Sequence, residues 1–152
     1  MQNEVFKNFL LSSSIGIVYL LFGALKFVPY WSPAESIAGE TITILTMGLI
    51  PTQLCLLLLA LFETVIGICL LFNLQKKIIL NLAIFHILFT FSPLFILSNQ
   101  IFGTEEAAIT LTGQYIFKNI ILLSALVSLK IEVTSTSPTH SVLKSIRNKI
   151  TI

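Results

Sequence analysis

Glu63 is the residue that most needs explaining. It stands at the centre of TQLCLLLLALFETVIGICLL, with no charged neighbour in that run. A charge at the centre of a helix in lipid costs about 2.5 to 3.5 kcal/mol, so such a carboxyl needs a proton or a cation. Two lysines lie in similarly apolar sequence, Lys26 in LFGALKF and Lys118 in GQYIFKN, and one imidazole, His86, lies in NLAIFHILF. A carboxyl beside an ammonium and an imidazole can exchange a proton and polarise a carbonyl. Glu63 and Lys118 are therefore candidate catalytic groups, and pairing of Glu63 with Lys26 or with Lys118 is equally open. Lys26, His86, Tyr115, Asn119 and Trp31 are candidate ligand contacts.

Helical spacing gives each of these groups a face. Ser12, Gly16, Tyr19, Gly23 and Lys26 form one stripe; Leu59, Glu63, Gly67 and Leu70 form a second; Tyr115, Lys118, Asn119 and Leu122 form a third. Gly16, Gly23 and Gly67 are expected to let helices approach closely. The same groups also read as packing devices: Glu63 and a lysine as a pair that fixes register, His86 as a neutral hydrogen-bonding group, Tyr30 and Trp31 as interfacial aromatics.

These stripes need a lipid setting. The chain has 152 residues, 55% hydrophobic and 11% charged, and lacks Asp. A soluble domain carries about 25% charged residues. A formal net charge of +2 gives no reason to expect a nucleic-acid partner. Cys55 and Cys69, fourteen residues apart in one helical run, would stand ~20 Å apart and cannot bridge each other. No Cys or His spacing points to a metal, and the N-terminus lacks the pattern of a cleaved signal.

Four stretches approach the ~20 residues a span requires: 8–27, 52–73, 78–98 and 114–130, the third with a kink at Pro93. The expected fold is an all-α integral membrane four-helix bundle over residues 1–132, with residues 133–152 a polar linker and basic tail. Lys7, Lys76, Lys77, Lys130, Lys144, Arg147 and Lys149 fall on one side, whereas connections 28–51 and 99–113 carry only acidic charges. Both termini are therefore expected to be cytoplasmic, in the inner (plasma) membrane. In the tail, Val142, Ile146 and Ile150 oppose Lys144, Arg147 and Lys149, which suits attachment to anionic lipid; a disordered tail fits equally.

The first outer connection holds a helix of its own. Ser32-Pro33-Ala34-Glu35 matches a capping box with proline at the first position, which predicts a lid helix over 33–47. Its face would be Ala34, Ile37, Ala38, Thr41 and Leu45, and it would end near Gly48 and Pro51.

LFGALKF, SPAE, LFETVIG and GQYIFKNIILLSAL, in this order and spacing, resemble the DoxX-like family of small four-helix membrane proteins. The resemblance runs from Phe9 to Leu129. It implies that Lys26, Glu63, Lys118 and Asn119 are the polar positions of the family pattern, and Gly23 and Gly67 the small ones. It further implies an accessory subunit of a quinone-linked oxidoreductase system, with no intrinsic cofactor and a quinone as ligand. The alternatives are a scaffold or assembly chaperone and a proton-coupled transporter; the latter lacks a broken helix in the sequence. The expected partners are the bilayer and another membrane protein or a second copy.

Overall fold

The computed structural model describes residues 2–32, 34–74, 77–103 and 108–135. Among these the chain is all-helical: α1 (Gln2–Leu25), α2 (Glu35–Leu45), α3 (Thr52–Leu71), α4 (Lys77–Phe89), α5 (Pro93–Ile96), α6 (Ser98–Ile101) and α7 (Leu111–Ser135). The tail beyond Ser135, Lys76, Glu105 and Glu106 lie outside the described residues.

α1 and α3 share the most extensive contact, and it depends on glycine. A Cβ on Gly16 would stand 2.7 Å from the Leu71 amide nitrogen, and one on Gly67 would stand 2.8 Å from that of Leu20. At Gly23 the obstacle is the Thr64 hydroxyl, also at 2.8 Å. The three glycines thus let two backbones touch. The Ser12 hydroxyl, buried beside them, donates to the Leu70 carbonyl at 2.8 Å. These pairs run in opposite directions along the two helices, so α1 and α3 are antiparallel.

α4 packs on α7, α7 also meets α1 and α4 also meets α3, around a core of Ile15, Tyr19, Ile66, Leu70, Leu80, Ala83, Leu126 and Leu129. Outward faces are equally apolar: Leu21, Leu58, Phe85 and Ile121 are all exposed. Lipid is the solvent that suits such a surface. Three helical stretches, Glu4–Leu25, Thr52–Leu71 and Lys77–Ile96, are long and apolar enough to cross a membrane, which fits a membrane protein.

Helix ends follow local chemistry. Asn73 takes the left-handed conformation (φ 58°), and the Leu74 amide then bonds back to the Cys69 carbonyl at 2.7 Å, which closes α3. Met47 and Gly48 close α2 in the same way, through Gly48 N–H to the Thr43 carbonyl. Thr110 caps α7: its hydroxyl oxygen accepts the Gly113 N–H at 3.2 Å.

Two sequence expectations need correction here. The capping box at Ser32 does not form: the described helix begins at Glu35, Ala34 precedes it, and the Ser32 hydroxyl is buried without a partner. Glu35 instead accepts the backbone N–H of Tyr30 at 2.7 Å, holding a non-glycine residue at φ 68°. The second correction concerns the third span, which is interrupted as well as kinked. Pro93 has no N–H for the Phe89 carbonyl, regular helix stops at Phe89, and Phe91 and Ser92 bond three residues back. The Ser92 hydroxyl donates to the Phe89 carbonyl at 2.8 Å and so covers part of the loss.

Candidate functional site

The groups flagged by the sequence meet where α1, α3 and α4 converge. Lys26 is carried by the turn that closes α1, and its Nζ donates to Glu63 Oε2 at 2.6 Å and to the Phe22 carbonyl at 3.4 Å. The other carboxylate oxygen, Oε1, lies 3.2 Å from His86 Nε2. Side-chain exposure is 5% for Lys26, 7% for Glu63 and 10% for His86, so the three form one shielded cluster. In such a setting the carboxylate is held by its partners rather than by solvent.

Behind His86 stands Tyr19. Its hydroxyl donates to the Ala83 carbonyl at 3.0 Å and lies 3.2 Å from His86 Nδ1. With the phenol proton committed to a carbonyl, which can only accept, the phenol oxygen is an acceptor for a proton on Nδ1. Nε2 then meets Glu63 with the intervening proton on either partner. The rings of Tyr19 and Phe62, centred 5.5 and 5.7 Å from the imidazole, hold its orientation. Tyr19 was legible only as part of the glycine stripe. Its place two turns before Lys26 on that face was the signal for a role in the site.

The cluster opens on a cavity of about 480 Å³. α2 and the preceding Ala34 form one wall, through Ala34, Ile37, Ala38, Thr41 and Leu45, the same face that the spacing marks in the sequence. The helix interruption contributes Thr90, Ser92 and Pro93, and α7 contributes Tyr115, Lys118 and Asn119. Asn119 Nδ2 donates to the Thr90 hydroxyl at 2.8 Å, tying α7 to the break. The rest of the wall is almost entirely hydrocarbon.

Lys26, Glu63, His86, Tyr115, Lys118 and Asn119 thus border one space, while Gly16, Gly23 and Gly67 form the α1–α3 seam. Of the two pairings left open, Lys26 takes Glu63. Lys118 has no carboxylate partner among the described residues; its ammonium lies 4.2 Å over the Tyr115 ring. Trp31 is 65% exposed and outside the cavity lining. Cys55 and Cys69 are both free.

No family profile, curated protein or solved structure matches the chain.

Proposed function

We propose that the chain is a DoxX-like integral membrane protein, an accessory subunit of a quinone-linked oxidoreductase system that holds a quinone-like molecule in this cavity. The observation that carries the reading is an apolar space of about 480 Å³ with a Lys26–Glu63–His86 cluster in its wall. A volume in that range suits a small amphipathic ligand, and a few convergent polar groups suffice to orient it. The Lys26 ammonium would donate to a ligand oxygen, and the Glu63–His86 pair would supply the proton as electrons arrive from a partner protein, or take it as electrons leave. In this reading α1, α3, the α4–α5 segment and α7 cross the inner membrane, the termini are cytoplasmic, and α2 covers the outer end. The test is native mass spectrometry of gently purified protein with analysis of co-extracted lipid. Quinone enrichment that falls in Glu63→Gln is the expected result; no enrichment and no saturable quinone uptake would end the proposal.

The direct 2.6 Å contact between Lys26 and Glu63 favours a second reading. The two charges satisfy each other without a ligand, as a pair that fixes register in a scaffold or assembly factor would. Crosslinking in native membranes separates the readings: recovery of a stable partner with no bound quinone supports the scaffold.

A further inference from the structure

Among the described residues, charge around the cavity does not balance. Lys26 is neutralised by Glu63, and His86 shares that carboxylate, but Lys118 faces the same space with no carboxylate of its own among the described residues. Its contact with the Tyr115 ring, 4.2 Å from the centroid, is a cation–π interaction, which orients an ammonium without cancelling its charge. An ammonium at the edge of a hydrocarbon-walled space is a ready partner for an anionic group seated there, and its exposure keeps it accessible.

Exposure shows where that counter-charge would enter. Among the lining residues, Leu45 on α2, Phe89 at the end of α4 and Ile121 on α7 are exposed at 48%, 52% and 72%, and Lys118 is exposed beside them. The exposed part of the lining is thus three apolar side chains and one ammonium. Such a rim suits a molecule that joins an anionic group to a long apolar chain.

We propose that this cavity takes an anionic amphiphile, an oxyanion on a single hydrocarbon chain, with the oxyanion paired to Lys118 and the chain leaving past Leu45, Phe89 and Ile121. The inference rests on the cavity being a ligand site and adds to the neutral quinone a second ligand class, with a charge and a sideways route of entry of its own. A carboxylate and a phosphate monoester share the required chemistry, so the source is a free fatty acid or a lysophospholipid phosphate.

The test compares oleate, 1-oleoyl lysophosphatidate, oleyl alcohol and decylubiquinone, each titrated against the full chain in detergent and read by native mass spectrometry. The two anions are expected to bind at least tenfold more tightly than the alcohol. Lys118→Gln should abolish that preference and Lys118→Arg should keep it, with helical content by circular dichroism confirming that both variants fold. The tighter of the two anions identifies the source. Equal binding of oleate and oleyl alcohol, or a preference unchanged in Lys118→Gln, overturns the inference while leaving the cavity a ligand site. Failure of all four probes overturns the inference and the proposed function together.

Discussion

At the scale of single residues, the Lys26–Glu63 contact makes the sharpest demand on stability. Removing one partner of a buried pair strands the other and costs about 3 to 5 kcal/mol, whereas removing both costs much less. Glu63→Gln and Lys26→Met are each expected to lower the unfolding midpoint in detergent, and the double variant is expected to recover part of the loss. Additive losses would show that the two charges are not coupled. Tyr19→Phe deletes one hydrogen-bonding hydroxyl and should cost roughly 1 kcal/mol. Its distinctive readout is the imidazole: the ring NMR signals of His86 should shift while the α1–α3 seam stays intact. That Glu63 needs a cation could be read from one letter in an apolar run. Which cation it finds could not, because Lys26 and Lys118 reach the same cavity and only packing brings one within 2.6 Å. Glu35 was hidden for a related reason: its sequence neighbours offer two amides, and the strained Tyr30 backbone takes the carboxylate.

At the scale of elements, the seam between α1 and α3 is the least tolerant part of the fold. Gly67→Ala places a carbon 2.8 Å from backbone atoms and forces the helices apart, so a substantial fall in thermal stability is expected. Gly48→Ala is the control. Nothing lies within 4 Å there, and only its φ of 69° opposes a side chain, at a cost of about 1 to 2 kcal/mol. Equal losses in the two variants would show that backbone contact does not govern the seam. The glycine stripes and the apolar face of α2 were legible because period and residue size are local properties of sequence. The start of α2 and the interruption before Pro93 were less so. Each depends on which neighbouring group accepts or donates a particular hydrogen bond, and a motif does not specify that choice.

For the molecule as a whole, the proposed crossing pattern puts the turn after α2 and the start of α4 on opposite sides of the membrane. With Cys55 and Cys69 replaced by Ala, a membrane-impermeant maleimide applied to intact cells should label Gly48→Cys and spare Lys77→Cys. The reverse pattern would invert the topology. One feature bears on how such a chain is made. The segment Lys77–Ile96 emerges from the ribosome as one 20-residue, largely apolar stretch and can insert before its packing partners exist. Pro93 interrupts its helix from the outset, but Thr90 is tied by Asn119, which is synthesised 29 residues later. The tie is made only when α7 arrives, so biogenesis has a fixed order: insertion first, assembly of the cavity second. A chain truncated before Leu111 should still insert, yet show faster amide exchange from Thr90 to Ser92. Ligand capacity in the newborn protein would then arise in a single late step, after α7 has been synthesised.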